Sequence, residues 1–524
     1  MKTLWHNGVF YTLQREGQTA DALITEQGKI TAIGSYEDLK DQAQQSIDLH
    51  GAFVYPGFID NHMHIIGQGE KLRKVDLSYA TSSEELIDLL ADAYRDFPEG
   101  EWFTGDGWDE NNFSDKKILT RYDLDKITTS PMLLKRTCWH AAVVNSKALE
   151  LAGITKDTPD PEDGVIERDE YGEPTGLLKE GAMHRVQELL PEPTIAYVKK
   201  ALETSVDHLL SVGLTGVVTD DLGYYGHYST PLTAFNQVLG KKRKFRTHLL
   251  RHFSVFEQLF KDQATYNEPW VEPGEMKIFM DGAFGGSTAW LSKPYADDAE
   301  NVGTSVLTEE ELDCYVRTAR RYGEAVAIHM IGDLAAEKAL DVIEKYPVPS
   351  GKKDRFIHVT LLREDLVERM AALPIVLDIQ PTFVPSDFPW VEERLGADRM
   401  DWAYAWKKLI AKGFICGGGS DAPIEDPNPL LGIHSAITRR LPTESHEGYL
   451  PDEKLSRYEA VQLYTSGAAA TIGKEHVRGR LAIGFDADFT VLAEDIFAVA
   501  VDHIPEIPVV KTIVAGEMMY DATM

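Results

Sequence analysis

Cysteine is scarce in this sequence, and long apolar runs are missing. The 524 residues include 3 cysteines, which lie far apart and form no CxxC pair, so no disulfide framework is expected. Such cysteine usage is typical of a reducing compartment, and we expect a cytoplasmic protein. No stretch of about 18 apolar residues occurs, which excludes a predicted transmembrane helix. Met1–Asn7 also lacks the charged-then-apolar layout of a signal peptide.

Basic residues are few compared with acidic ones. The chain has 53 Lys and Arg against 84 Asp and Glu, which gives a formal net charge of −31. Nucleic acids and anionic membranes are bound through clustered Lys and Arg, so the acid excess argues against both partners. Hydrophobic residues make up 43% of the chain, a value that is typical of globular proteins and argues against disorder.

Two common catalytic motifs are absent as well. The triple glycine Gly417–Gly419 lacks the Gly-Lys-Ser/Thr continuation of a phosphate-binding loop and is followed by Ser420 and Asp421 instead. No GxSxG nucleophile elbow occurs, which argues against a covalent serine hydrolase.

What the sequence does contain is a regular alternation of apolar and amphipathic segments. The strand candidates are short, mostly apolar and followed by a polar or glycine-rich turn: Val54–Asn61, Gly216–Asp220, Arg246–Leu250, Met276–Met280, Ala325–His329, Arg355–Val359, Ile375–Ile379 and Phe414–Gly418. Helical patterns lie between many of them. About eight such strands alternating with helices predict an α/β protein with a (β/α)8 TIM barrel over residues 56–474.

Two other parts of the chain do not fit the barrel pattern. Residues 1–55 and 475–524 read as short β segments separated by turns, so we expect both chain ends to build one small sheet domain. The segment from about 70 to 200 is too long for one loop and carries its own helices and turns. We expect it to be an insertion over the barrel mouth that shapes the substrate pocket.

A histidine pair ends the first strand candidate, in Pro56-Gly57-Phe58-Ile59-Asp60-Asn61-His62-Met63-His64. Side chains two residues apart on a strand share a face, so His62 and His64 can point at one site. Neutral imidazoles are good ligands for zinc and similar ions. An ordinary core or surface pair is the alternative, and the position after an apolar strand favours ligands.

Three more candidate ligands follow later strands. His329 ends one strand candidate, His358 lies at the end of another, and Asp421 comes directly after Phe414–Ser420. Each alone is more often a core residue than a ligand. A parallel barrel gathers the carboxyl ends of its strands on one face, where catalytic residues belong. Together with the first histidine pair, these residues therefore predict a metal site.

Motifs over nearly the whole chain resemble the amidohydrolase superfamily, specifically amidohydrolase family 3, the YtcJ-like and N-substituted formamide deformylase-like metal-dependent hydrolases. The matching segments run in order along the sequence: Pro56–His64, Gly105–Asp109, His140–Ser146, Gly172–Leu178, Met276–Ala283, Ser420–Pro423 and Gly484–Phe489. The resemblance implies a distorted TIM barrel with a small β-sandwich from both termini. It also implies a mono- or dinuclear metal centre, and the frequent dimers of this family suggest a homodimer.

The resemblance assigns ligands residue by residue. His62 and His64 would hold the more buried metal with Asp421, and His329 and His358 would hold the second. The two ions would be bridged by a carboxylated lysine or, in some members, a glutamate. Histidine and carboxylate ligands suit zinc, which we predict, as well as iron, manganese, nickel or cobalt.

Lys277 is the candidate bridging residue. A lysine on an apolar strand is expensive to bury as a cation, and addition of CO2 would convert it to an anionic carbamate. The alternative is an ammonium that pairs with Asp281. Lys179 and Glu180 are rival bridging candidates, but they lie in the predicted insertion.

Three residues of the insertion are predicted to bind substrate. Trp108 and His140 lie in segments that match the family, and Trp108 offers an apolar face with one N–H donor. Glu180 follows another matching segment. A packed core residue is the alternative for Trp108 and His140, and a simple ion pair is the alternative for Glu180.

The predicted activity is metal-dependent hydrolysis of a C–N bond in a small molecule: an amide, an N-substituted formamide or a cyclic amide. A metal-activated hydroxide would attack the carbonyl carbon, and Asp421 would act as general base and then as general acid. An esterase or phosphoesterase with the same centre is the alternative, because fold does not fix function. A catalytically inert scaffold is disfavoured by the complete ligand set.

Overall fold

The computed structural model describes residues 1–77, 79–95, 97–136, 141–161 and 164–523. These residues divide into two compact units. The first unit comprises residues 1–68 and 194–524, and the second comprises residues 69–193. In the sequence, the second unit therefore interrupts the first.

Eight parallel strands form the central sheet of the first unit. We call them the first to eighth barrel strands, because their spatial order is also their order in the chain: Phe58–Met63, Leu214–Thr219, Arg246–His252, Val271–Phe279, Val326–Met330, Asp354–His358, Ile375–Ile379 and Ile415–Gly418. Strands such as Leu214–Thr219 and Ile375–Ile379 are buried at every position. Burial on both faces is the property that makes parallel strands read as continuous apolar runs.

The eight-stranded sheet is nearly closed. Each strand pairs in parallel with the next one along the chain. The carboxyl end of the first strand meets the segment after the eighth strand through two hydrogen bonds: the Asp421 amide donates to the His62 carbonyl over 2.7 Å, and the His64 amide donates to the Ala422 carbonyl over 2.7 Å. The TIM barrel prediction is thus confirmed, and each barrel strand overlaps one of the predicted strands.

Amphipathic helices connect and cover the barrel strands. Glu309–Arg321, for example, begins after a capping box between Thr308 and Glu311, and it buries Leu312 and Val316 on one face. The remaining helices of the first unit are Tyr36–Leu39, Ile195–Ser211, Ser229–Val238, Phe256–Lys261, Asp333–Lys345, Glu364–Ala371, Phe383–Asp387, Trp390–Leu395, Trp406–Ala411, Pro429–Thr438, Arg457–Leu463 and Ser466–Thr471, with 3-10 turns at Ala397–Trp402, Pro451–Glu453 and Val501–Glu506. One helix, Ile65–Arg73, contains the boundary between the two units.

Strands from both ends of the chain form a second sheet in the first unit. It has seven strands in the order Glu517–Asp521, Val509–Val514, Phe489–Leu492, Gln45–Pro56, Thr3–Tyr11, Thr19–Glu26 and Lys29–Gly34. The two chain ends meet where Phe489–Leu492 pairs antiparallel with Phe53–Pro56. Trp5 and Phe489, which lie far apart in the sequence, pack edge to face in its core at a centroid distance of 5.0 Å.

The second unit has a sheet and cores of its own. Its strands lie in the order Gly164–Arg168, Pro174–Glu180, Ala141–Val144, Met132–Arg136, Phe103–Trp108 and Val75–Asp76. Successive apolar residues belong to different clusters, as for Leu133 and Leu134, because side chains alternate between the two faces of a strand. Its helices are Ser83–Tyr94, Arg121–Leu124, Ser146–Leu151 and Gly181–Gln187, with a 3-10 turn at Glu110–Asn112.

Among the described residues, the helices are all too short or too polar to span a membrane. This agrees with the sequence, in which no long apolar segment occurs.

Candidate metal centre

The carboxyl ends of the barrel strands bring the predicted ligands of the first unit together. His62 lies on the first strand, Lys277 on the fourth and His329 on the fifth. His358 is the last residue of the sixth strand. His64 and Asp421 lie in the segments just after the first and eighth strands. Since parallel strands end at one edge of the barrel, six side chains from five strands face one small volume.

Asp421 lies between the first two histidines. Its Oδ1 is 3.4 Å from Nε2 of His62 and 3.6 Å from Nε2 of His64. One ligand atom from each of these three residues lies within 4.8 Å of the other two. Two nitrogens and one carboxylate oxygen at this spacing suit a divalent transition metal.

The other two histidines border the same cluster. The rings of His329 and His358 lie with their centroids 4.5 Å apart, and the ring of His358 is 5.5 Å from that of His62. Nζ of Lys277 is 3.2 Å from Nε2 of His62. The structure therefore brings together every residue that was predicted as a metal ligand.

Neighbouring acceptors determine which nitrogen each histidine presents. Nδ1 of His64 donates to the carbonyl of Asp220 over 2.8 Å, and Nε2 of His329 donates to the carbonyl of Gly282 over 3.1 Å. Since a carbonyl oxygen only accepts, these two nitrogens carry the hydrogens. Nε2 of His64 and Nδ1 of His329 are left with lone pairs, as metal ligation requires.

His358 is oriented by a side chain instead. Its Nδ1 lies 2.9 Å from Oε1 of Gln380, a buried residue just after the seventh strand. A donor on Nδ1 leaves the lone pair on Nε2. The hydrogen-bonded partners of these histidines resemble the outer shell that orients metal-binding imidazoles in general.

Burial keeps the inner histidines neutral. It lowers the pKa of His62 and of His358 well below the usual range and that of His329 to about 3. Neutral imidazole is the form that binds metal. His62 also has a buried Nδ1 without a hydrogen-bond partner among the described residues. The donor set and its protonation fit a divalent ion.

Lys277 is fully buried in this cluster. Burial lowers its pKa, although Asp220 and Asp421 oppose the shift. The alternative pairing with Asp281 is not found within 4.0 Å: the Asp281 carboxylate instead accepts the amides of Trp290, Ile331 and Gly332 at 2.8–3.0 Å. A neutral amine in this position is the form that reacts with CO2.

The backbone at two candidate ligands is unusual. Asp421 has φ +57°, and His358 has φ +74° with Val359 at +49° behind it. Left-handed conformations are unfavourable for bulky and β-branched residues and occur most often at functional sites. These two positions therefore agree with a role that constrains the backbone.

Of the three predicted substrate residues, the structure describes Trp108 and Glu180. Trp108 is buried in that unit's core, where its Nε1 donates to the carbonyl of Leu134 over 2.9 Å. Glu180 is exposed and has φ +47° at the start of Gly181–Gln187. His140 lies outside the described residues.

Of three further contributors to the site, two carried no recognisable signal in the sequence. Gln380 follows an apolar strand like many polar residues, and the carbonyl of Gly282 has no side chain to mark it. The third, Asp220, ends the strand candidate Gly216–Asp220; its carbonyl accepts a hydrogen bond from His64, and its carboxylate accepts the hydroxyl of Tyr224 over 2.9 Å. Only the position at a strand's carboxyl end could have drawn attention to them.

Comparison with known proteins adds independent findings. The sequence profile of the amidohydrolase family matches residues 45–520. The chain is 46% identical to YtcJ of Bacillus subtilis (strain 168), with 99% of this chain and 100% of that protein covered. It is 26% identical to the N-substituted formamide deformylase of Arthrobacter pascens, with 98% and 97% covered.

The fold is also similar to that of a solved structure. An uncharacterized metal-dependent hydrolase from Pyrococcus furiosus superposes with a TM-score of 0.80 at 29% identity, and the match covers 95% of this chain and 100% of that one.

Proposed function

We propose that this chain, which belongs to the amidohydrolase family, uses its barrel cluster to hydrolyse a C–N bond of an amide, an N-substituted formamide or a cyclic amide. The family resemblance seen in the sequence is confirmed, and with it a hydrolytic, metal-dependent chemistry at the coarse level. The observation that carries the finer proposal is the convergence of His62, His64 and Asp421 at 3.4–3.6 Å beside a buried lysine.

The proposed ligands are His62, His64, His329, His358 and Asp421. A divalent ion held by them, with zinc as our proposal, would lower the pKa of a water toward about 7 and polarise the substrate's carbonyl oxygen. The residues themselves would hold that ion through their fixed tautomers, and the buried imidazoles stay neutral, so protons would not compete with the ion for their lone pairs.

Asp421 is the proposed proton carrier. Its carboxylate accepts a proton from the attacking water, which adds to the carbonyl carbon, and returns it to the nitrogen as the C–N bond breaks. Its side chain is 14% exposed, so water can reach it. Burial raises the pKa of Asp421, which favours a carboxyl that retains the proton between the two steps.

Lys277 is proposed to carry a carboxyl group. Full burial and a lowered pKa both support a neutral amine, and a carbamate would supply an anionic oxygen ligand between two ions. Exchange with ¹³C-labelled CO2 in the metal-loaded protein, followed by ¹³C NMR, should reveal one carbamate that is absent from Lys277→Met and retained in Lys179→Met. An unmodified amine in the metal-loaded protein would contradict this proposal.

The 26% identical deformylase supports N-substituted formamides as the first substrates to test. Trp108, His140 and Glu180 remain proposed substrate contacts, and the cytoplasmic location and the homodimer remain predictions.

The test is a substrate panel with the metal-loaded protein. N-substituted formamides, acyl amides and cyclic amides should give kcat/KM values at least about tenfold above those of matched esters and phosphoesters. Asp421→Asn serves as the control for contaminating activity. Turnover of esters or phosphoesters alone would favour the second candidate enzyme, and no turnover by a metal-loaded protein would favour an inert scaffold.

A further inference from the structure

A fifth histidine, His252, lies at the same edge of the barrel and has no role in the metal centre proposed above. It is the last residue of the third barrel strand and is 9% exposed. In the parallel pairing of the third and fourth strands its partner is Lys277, so both side chains lie on the same face of the sheet. Lys277 lies in the candidate metal centre, so His252 faces the same volume.

A row of aromatic rings places His252 between two proposed ligands. From His64 the row passes to Tyr224 at 5.8 Å, to His252 at 5.4 Å, to Phe279 at 5.8 Å and to His329 at 5.5 Å between centroids. His252 is the one member of this row, apart from the two proposed ligands, that has ring nitrogens. It therefore adds a polar atom to an otherwise aromatic wall.

The tautomer of His252 is fixed by the backbone. Its Nδ1 lies 3.3 Å from the amide nitrogen of Ser254 and 2.7 Å from the hydroxyl of the same residue. A backbone N–H only donates, so Nδ1 is an acceptor and the ring hydrogen must be on Nε2. Burial also lowers the pKa of His252, which agrees with a neutral ring.

The Nε2–H of His252 points away from Ser254. Gly223 closes the Nδ1 side, since a Cβ at that glycine would lie 2.7 Å from Nδ1 and 2.5 Å from Cγ. For Nε2 no hydrogen-bond acceptor is found among the described residues. The ring therefore presents a neutral N–H donor, held in one orientation, beside His64 and Lys277.

We propose that the Nε2–H of His252 donates a hydrogen bond to the substrate's carbonyl oxygen and to the oxyanion that develops on it. Water adds to the carbonyl carbon, the C–N bond breaks, and the hydrogen stays on Nε2 throughout. A preorganised neutral donor of this kind stabilises developing charge without giving up a proton. The inference rests on the proposed hydrolytic function and makes His252 a catalytic residue of that reaction.

The test compares two substitutions, each of which replaces only one of the two ring nitrogens. His252→Asn keeps an acceptor near the position of Nδ1 for the Ser254 amide but has no atom in the place of Nε2. His252→Gln reaches the place of Nε2 with an amide N–H. Ser254→Ala is the matched control, because it removes the hydroxyl and leaves the backbone amide that sets the tautomer.

For a hydrolysed amide, His252→Asn should lower kcat/KM by about 10²-fold. His252→Gln should remain within about tenfold of the wild type, and Ser254→Ala should be nearly unchanged. Equal losses in the Asn and Gln variants would indicate a packing role and would overturn the proposal. So would wild-type activity in the Asn variant.

A binding measurement keeps this inference separate from the proposed function. A methylphosphonate monoester with the tetrahedral shape of the intermediate should bind metal-loaded His252→Asn at least about tenfold more weakly than the wild type. It should also shift the Nε2–H signal in ¹⁵N-histidine NMR spectra. If no amide is turned over, the proposed function fails, yet equal phosphonate affinities, or a hydrogen found on Nδ1, would still overturn the role of His252.

Discussion

The first unit contains two buried polar clusters that can be compared directly, because they lie at opposite ends of the barrel. Near the amino ends, Arg246 binds Asp488 over 3.1 Å and Asp486 over 3.4 Å. Arg478 bonds to Asp486 over 2.8 Å and to Glu272 over 3.0 Å. In this cluster, each charge has an opposite charge within hydrogen-bond reach.

At the carboxyl ends the balance is different. His62, His329 and His358 are neutral through burial, Lys277 lies 3.2 Å from an imidazole, and Asp421 is the carboxylate among them. The paired charges at the amino ends need no bound ligand to account for them, because each charge is balanced within the fold. The incomplete pairing of these candidate ligands supports the proposal that a metal ion binds between them.

The largest effect is expected from Asp421→Asn. The change removes the proposed proton carrier, so kcat for a hydrolysed amide should fall by about 10³-fold. The melting temperature of the metal-free variant should stay close to that of the wild type, because no ion pair of the paired cluster is touched. Steady-state kinetics measures kcat, and calorimetry measures the melting temperature. Near-normal turnover would remove Asp421 from the mechanism.

Arg246→Met should produce the opposite pattern. It leaves Asp488 buried without its partner, which should lower the free energy of unfolding by about 3 kcal/mol, while bound metal per chain stays unchanged. Urea unfolding and elemental analysis measure both quantities.

A matched control for that change is Arg243→Met. Arg243 binds Asp207 over 2.7 Å at the surface, so its loss should cost less than about 1 kcal/mol. Equal losses in the free energy of unfolding from the two substitutions would show that the buried ion pairs stabilise the fold no more than a surface ion pair does.

A smaller effect is expected from the pH dependence of His329. Its folded-state pKa is about 3, whereas the unfolded value is about 6.5. Between these values the unfolded state binds the extra proton, so the free energy of unfolding falls as the pH falls from about 6.5 to about 3. Metal-free wild type should therefore lose about 2 kcal/mol more than His329→Gln between about pH 7.5 and pH 5.

Urea unfolding of both proteins at the two pH values measures this difference. Other titrating groups, such as Asp60 with its raised pKa of about 7, act equally on both proteins and cancel. The same pH dependence in both proteins would mean that His329 is not held neutral.

The barrel strands were predictable because they follow from a local pattern, and the candidate ligands were found through their position at strand ends. Buried parallel strands are apolar on both faces, and His62, His329 and His358 each end or nearly end such a strand. The pairing of both chain ends in one sheet was also expected, although its strand order was not, since it depends on contacts between distant residues.

The hydrogen bonds that orient the candidate ligands were not predictable. The bond from His358 to Gln380 and the tautomer of His252 both depend on the position of one acceptor or donor in space. The sequence around Gln380 and Ser254 has no pattern that distinguishes them from ordinary polar residues. The hydrogen bond from Nε1 of Trp108 to the carbonyl of Leu134 likewise depends on the position of one acceptor in space.

Metal content tests the central claim most directly. Wild-type protein, reconstituted with zinc and freed of excess ion, should hold about one to two ions per chain, and His62→Asn combined with His64→Asn should lose at least one of them. Arg246→Met should hold as much as the wild type. Less than about a tenth of an ion per chain in the wild type, or equal metal in the wild type and the double variant, would contradict the account.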